Sequence, residues 1–273
     1  MTAARRYLPS DPADLARSLV PIGLLIVAAA LPVLRVPGLI ALGAGAGIAI
    51  ARDAPVRWTW AAAVPVALGL AWGVLPAPVA ALDGSDCTNP ASPVATWRAL
   101  EALVVLASLA VLAVVLRASP ASLLLRWPAR RWVGWAVAGF LVSGPVALVV
   151  GPYLARPFFG DVGYQLVPAA LLPALLFAAA NGIMEELIYR GALLGWSARV
   201  MGIGPAVVGQ AVVFGVAHSG SDVIGLQVPL MVGMGVGGLL AGVIAVRTRS
   251  LLLPIAVHIG LDIPIYYSFA CGT

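Results

Sequence analysis

Apolar residues in this chain gather in long runs, interrupted by arginines and by Pro- and Gly-rich breaks rather than by alternating polar positions. A helix needs roughly 20 mostly apolar residues to cross about 30 Å of hydrocarbon. Runs of that kind fall near 18–34, 36–51, 58–82, 97–116, 132–152, 164–198, 203–218, 228–246 and 250–269. The pattern predicts an all-α, polytopic transmembrane helix bundle of about 8–9 spans. The second run is short and carries Gly38, Gly43, Gly45 and Gly47, so a partial or tilted segment is expected there. The sixth is too long for one span and is expected to bend near Pro173 or to continue past the bilayer. The first run follows Arg5 and Arg6, but further spans succeed it, so it reads as an anchor rather than a cleaved leader.

Composition agrees with the pattern. Of 273 residues, 62% are hydrophobic and 10% charged, against roughly a quarter charged in soluble domains. The net charge of +5 rests on arginines dispersed along the chain, with no lysine. That is not the clustered basic face of a nucleic-acid binder.

Arginines also set an orientation. Arg5, Arg6 and Arg17 precede the first span, and Arg52 and Arg57 follow the second. Arg117, Arg126, Arg130 and Arg131 follow the fourth, Arg199 the sixth, and Arg247 and Arg249 the eighth. The intervening loops hold fewer (Arg35, Arg98, Arg156) and carry Asp83, Asp86, Asp161 and Asp222. Cytoplasmic loops are the Arg-rich ones, which predicts a multi-pass protein of a bacterial cytoplasmic membrane with its N-terminus inside. Cys87 and Cys271 then both lie outside, where a disulfide is permitted. Spacing does not establish proximity, and the simpler expectation is two unpaired cysteines.

Against so apolar a background, ionisable residues inside a span are informative, because each costs on the order of 2.5–3.5 kcal/mol to insert. They concentrate late in the chain. Asn181, Glu185, Glu186 and Arg190 lie on the sixth run, His218 ends the seventh, and His258 and Asp262 lie on the ninth. Two of the three glutamates and both histidines are in this set, whereas Glu101, near the start of the fourth run, is expected at the interface. Glu186 and Arg190 are four apart, as are His258 and Asp262 and also Phe214 and His218, so each pair shares a helix face. Glu185 points about 100° away from Glu186. At 1.5 Å per residue the polar groups lie about 12–22 Å from their cytoplasmic helix ends, which allows one buried site built from three helices.

A carboxylate beside an imidazole in a dry pocket can take a proton from water, and a second imidazole can donate to the oxygen that turns negative when water attacks an amide. Two histidines with a carboxylate can instead ligate zinc, here Glu185, His218 and His258, although the spacing is not that of a His-Glu-x-x-His helix. The simpler reading of Glu185, Glu186 and Arg190 is a salt bridge that fixes helix packing. For His218 it is a polar residue near a span end, and for Asp262 a tautomer-fixing partner of His258. Gly233, Gly235, Gly237, Gly238 and Gly242 read as close helix packing. Trp58, Trp60, Trp97, Trp127, Trp132 and Trp135 read as interfacial anchors.

Three motifs in order resemble a known family. Glu185-Glu186-Leu187-Ile188-Tyr189-Arg190-Gly191 is similar to the EExxxRG signature of the CPBP (ABI) intramembrane proteases, which include the CAAX prenyl endopeptidases. Phe214-Gly215-Val216-Ala217-His218 resembles their FxxxH motif, and His258-Ile259-Gly260-Leu261-Asp262 their third, HxxxN or HxxxD. The resemblance spans about 165–268, which divides the chain into a helical N-terminal part of unassigned role (1–160) and a catalytic core (161–273). It implies an intramembrane endopeptidase acting near the C-terminus of a membrane-embedded, membrane-associated or lipidated substrate. Glu185 with His218 would activate water, His258 and Asp262 would serve the oxyanion side, and Glu186 and Arg190 would support the site. In the glutamate-type view of the family no cofactor is expected, while the older metalloprotease view implies a divalent metal such as zinc. Asp262 stands where the family often has Asn. An ionised carboxylate would repel an oxyanion, so Asp262 either carries a proton or orients His258. Outside the enzymes, a carboxylate–histidine transporter or an immunity or scaffold protein of the same fold fits the same residues. A transporter would more readily show repeat symmetry between its halves, and here the polar groups lie in one half.

Overall fold

A computed structural model describes residues 11–74, 87–89, 92–159, 167–218 and 228–271. Arg5, Arg6, Asp83, Asp86, Asp161 and Asp222 lie outside the described residues. Within them the chain is helical with no strand, as the apolar runs predict. The helices are α1 (Pro12–Ala30), α2 (Arg35–Ala51), α3 (Arg57–Trp72), α4 (Pro93–Val115) and α5 (Arg130–Phe159). After them come α6 (Leu171–Glu185), a π-helical stretch (Glu186–Leu194), α7 (Gly195–Met201), α8 (Ile203–Ala217), α9 (Val228–Thr248) and α10 (Leu252–Ala270).

Among the described residues six helical segments are long and apolar enough to cross a membrane, and α8 and α10 are shorter apolar helices. The Gly-rich second run is one of the six, as Pro32–Ala51. The first helix begins earlier than its hydropathy suggests, because Asp11 accepts a hydrogen bond from the Ala13 backbone N–H at 2.8 Å. Pro12 fits the first helical position, where no N–H is required. The sixth run does not break at Pro173. That residue falls in the first turn of α6, where a proline is tolerated. The irregularity comes instead at Glu186–Leu194, inside the first motif. Gly202, at φ 83°, separates α7 from α8 in a conformation that suits glycine.

Contacts group the chain into two compact units. In one, α1, α2, α3, α7, α8 and α9 pack together with the C-terminal part of α4 and the π-helical stretch. Gln210 of α8 donates from its amide nitrogen to the Gly238 carbonyl of α9 at 2.9 Å, and Trp196 of α7 packs edge-on to Trp58 of α3, with ring centroids 5.9 Å apart. The other unit is built from α5, α6, α10 and the N-terminal part of α4, with α10 packed on both α5 and α6. Many buried positions in both are alanine, while Val114, Val149 and Leu240 point outward. Exposed aliphatic side chains cost nothing in lipid, where packing rather than water expulsion joins helices.

Candidate active site

In the second unit α6 and α10 run side by side in opposite directions, and a glycine allows their approach. A Cβ on Gly182 would stand 3.1 Å from Ile259 Cγ1, 3.2 Å from the Ile259 backbone nitrogen and 3.5 Å from His258 Cβ. On its other side α10 is held to α5 by the Ser143 hydroxyl, which donates to the Val257 carbonyl at 3.1 Å.

Residues four apart on each helix face one another in sequence. Phe177, Asn181 and Glu185 lie along α6, and Tyr266, Asp262 and His258 along α10. The Phe177 and Tyr266 rings are 5.8 Å apart. The Asn181 amide nitrogen donates to Asp262 Oδ2 at 2.8 Å. His258 Nδ1 is 2.9 Å from Glu186 Oε1, a hydrogen bond, and its Nε2 is 3.6 Å from both Glu185 Oε2 and Asp262 Oδ2. Three carboxylates therefore surround one imidazole. Glu185 and Glu186 diverge on the helix, yet both reach this ring, because each approaches a different nitrogen. Accessibility separates their roles: the His258 and Glu185 side chains are 14% and 13% exposed, against 2% for Glu186 and 4% for Asp262. A reactant can touch the first two more readily than the second two.

Arg190 and His218 belong to the other unit. There His218 ends α8, with Nδ1 2.8 Å from the Phe214 carbonyl oxygen one turn earlier. A carbonyl can only accept, so this contact puts the proton on Nδ1 and leaves Nε2 as the nitrogen able to take a proton. The Phe214 ring lies 4.4 Å from the imidazole, Tyr189 meets Phe214 edge-on at 5.0 Å, and the Arg190 guanidinium sits 4.2 Å over the Phe214 face. The aromatic residue of the second motif thus links its histidine to the arginine of the first.

Some site residues carried no assigned role in the sequence. Asn181 stood out only as an amide within a span. Glu101, expected at the interface, is buried within the protein, with Arg98 Nη1 donating to its Oε2 at 2.7 Å, and Arg98 lies 5.7 Å over the Phe177 ring. Glu101 also interacts electrostatically with Glu185, and Arg98 with Asp262. The cysteines are paired rather than free. A Cys87–Cys271 disulfide, with Cα atoms 5.4 Å apart, ties the chain before α4 to the end of α10. Beside it the Tyr266 hydroxyl donates to the Cys87 carbonyl at 2.9 Å. Of the possible zinc ligands, Glu185 and His258 converge in the second unit. Among the described residues no group of three or more His, Cys, Asp or Glu is arranged to hold a metal ion.

Residues 167–263 match the family model described as type II CAAX prenyl endopeptidase Rce1-like. This segment is similar to that family. It contains all three motifs, with Glu185, Glu186, Arg190, His218, His258 and Asp262, and runs from the turn before α6 through most of α10. At the family level the match supports a CAAX-type intramembrane endopeptidase acting on a membrane-associated substrate. No curated protein and no solved structure matches the chain. Asn181 lies inside the Rce1-like segment, whereas Arg98, Glu101 and both cysteines lie outside it.

Proposed function

We propose that the chain is an intramembrane endopeptidase that hydrolyses a peptide bond near the membrane, in C-terminal processing of a membrane-associated or lipidated protein. The observation that carries this reading is the His258 imidazole bonded to Glu186 through one nitrogen and facing Glu185 and Asp262 with the other, inside the Rce1-like segment. Glu185, with His218, takes a proton from water as the oxygen attacks the scissile carbonyl. His258 in its doubly protonated form donates from Nε2 to the oxyanion and keeps Nδ1–H on Glu186. Collapse of the tetrahedral intermediate breaks the C–N bond, and the proton gained by the acid–base pair passes to the leaving amine. Asp262 orients His258, while Glu186 and Arg190 support the ring and the packing around it.

Residues 161–273 form the catalytic core in this reading, and the mechanism is of the glutamate type with no metal. The protein resides in a bacterial cytoplasmic membrane with its N-terminus inside. The arginine distribution supports that orientation, and so does a disulfide between two cysteines assigned to the outer side.

The test uses the full chain in lipid nanodiscs and a quenched-fluorescence peptide ending in a farnesylated CAAX box, beside its unprenylated counterpart. Glu185→Gln and His218→Gln are each expected to slow cleavage by about 10²–10⁴-fold. Unchanged cleavage in both correctly inserted variants would end the reading. A zinc chelator is expected to leave the rate unaltered; loss of activity restored by zinc would favour ligation by Glu185, His218 and His258 instead.

A further inference from the structure

The start of α5 carries charge that its own surroundings do not neutralise. Trp127, Arg130, Arg131, Trp132 and Trp135 all belong to the second unit. Both arginines are exposed and open α5 with no acidic residue in its first turn. The sequence has no Asp or Glu from 102 to 160. Among the described residues neither arginine meets a carboxylate, whereas Arg17, Arg57 and Arg98 are each paired with one. The positive end of the helix macrodipole makes a first turn an unfavourable place for a cation. Two arginines there therefore weaken the helix slightly, and an anion from outside would compensate.

The aromatic residues indicate where that anion comes from. Trp127 is 81% exposed and Trp135 63%, and the helix from Arg130 to Tyr153 is long and apolar enough to cross a membrane. Tryptophans at the end of a span sit at headgroup level, with the ring toward the chains and the N–H toward water. Arg131 and Trp135 are one turn apart on the same face, and the Arg131 guanidinium lies 5.3 Å over the Trp132 ring. A guanidinium resting on an aromatic face keeps its N–H fork free, which suits a phosphate. Rings and forks thus meet at the depth where a phospholipid joins its chains to its phosphate. Two cations favour a headgroup whose phosphate charge is not cancelled by an ammonium group.

We propose that Trp127, Arg130, Arg131 and Trp135 form a docking surface for an anionic phospholipid, the arginines taking its phosphate and the tryptophans its glycerol and upper chains. Bound lipid steadies the end of α5, the helix to which α10 is held by the Ser143–Val257 hydrogen bond. This surface and the endopeptidase reading stand independently, and the failure of one leaves the other intact.

In the test, the full chain in detergent is titrated with phosphatidylglycerol or with phosphatidylcholine of the same acyl chains, and bound lipid is counted by native mass spectrometry. The wild type is expected to hold phosphatidylglycerol about 30-fold more tightly, as two arginines at an anionic surface supply. Arg130→Gln with Arg131→Gln is expected to abolish that preference. Arg247→Gln with Arg249→Gln removes the same charge elsewhere and is expected to keep it. Trp127→Ala with Trp135→Ala is expected to weaken both lipids alike by about tenfold. Thermal unfolding checks that each variant folds, and if the Arg130/Arg131 pair variant does not, the two single variants divide its effect. A preference that survives loss of Arg130 and Arg131, or that falls equally with Arg247 and Arg249, overturns the proposal. So do tryptophan variants that bind like the wild type. Inorganic phosphate that displaces the lipid at equal concentration would leave a simple anion site and overturn it as well.

Discussion

Asn181 and Asp262, on neighbouring antiparallel helices, are joined by a 2.8 Å hydrogen bond from amide nitrogen to carboxylate oxygen, and both residues are more than nine-tenths buried. The same oxygen, Oδ2, stands 3.6 Å from His258 Nε2. Asp262 is thereby turned toward the imidazole by a neighbour on the other helix. An amide at position 262 could still accept from Asn181 through its own oxygen and would offer a donor beside His258. Asp262→Asn is therefore expected to keep activity within about tenfold of the wild type. Asp262→Leu leaves the Asn181 nitrogen buried without an acceptor, at about 1–3 kcal/mol, and is expected to lower the cleavage rate by at least about 100-fold. Rates on the quenched CAAX-box peptide, with thermal unfolding as a control for folding, test both. Equal rates for the two variants would contradict an orienting role.

Glu186 and Glu185 differ in what they can lose. Glu186 accepts from His258 Nδ1 at 2.9 Å, and a glutamine oxygen there can still accept, so Glu186→Gln is expected to retain much more activity than Glu186→Ala. At Glu185 a glutamine cannot take a proton, so Glu185→Gln and Glu185→Ala are expected to be about equally slow. Steady-state rates of the four variants decide the matter. A Glu186→Gln enzyme as slow as Glu185→Gln would make Glu186 a second proton acceptor rather than a support for the ring.

Gly182 controls the spacing between the two polar helix faces. A methyl group there would press on Ile259 at 3.1–3.2 Å, including its backbone nitrogen, directly beside His258. Backbone cannot yield as a side-chain tip does, so α6 and α10 must part by a few tenths of an ångström. Gly182→Ala is expected to cost about 1–3 kcal/mol of stability and at least about tenfold in cleavage rate, because the Glu185–His258 approach lengthens with it. A variant that loses stability with full activity would show that this approach does not govern the reaction.

Hydropathy exposed the helices, because long apolar runs have few alternatives to spanning a bilayer. Motif spacing singled out Glu185, Glu186, His258 and Asp262 as candidates, and it put His258 and Asp262 on one face because residues four apart share it whatever the tertiary structure. Neither could reveal which faces meet. The contact of Glu186 with His258 is legible only once α6 and α10 are seen antiparallel. The π-helical Glu186–Leu194 stretch has no distinct periodicity to read, and Asn181 acquires a role only through Asp262. Glu101 sits near a span end, a place that suggests the interface, yet Arg98 allows it to be buried. The Cys87–Cys271 pair is separated by 184 residues, so spacing could not foretell it.

Arg98 and Glu101 bring a charged pair from α4 to the unit that holds the carboxylate cluster. Because Glu101 is buried and Arg98 half-exposed, removing the arginine strands a buried carboxylate beside Glu185. Arg98→Leu alone is expected to destabilise by about 3–5 kcal/mol, as for other broken buried pairs. Adding Glu101→Leu is expected to recover most of that loss, since a well-packed apolar pair can replace a buried ion pair. Unfolding of the two single variants and the double variant in detergent gives the coupling. Additive losses would mean that the pair is merely superficial.

Cys87 and Cys271 close a loop of most of the chain and pin the end of α10, the helix that carries His258 and Asp262. Cross-links restrict the unfolded ensemble, typically by 2–4 kcal/mol, and here the Tyr266 hydroxyl bond to the Cys87 carbonyl depends on the same anchorage. Reduction, or Cys87→Ala with Cys271→Ala, is expected to lower the unfolding midpoint by several degrees and to reduce cleavage. Both thiols, once reduced in intact cells, should react with a membrane-impermeant maleimide added outside. Labelling only after lysis would place the disulfide on the cytoplasmic side and reverse the proposed orientation.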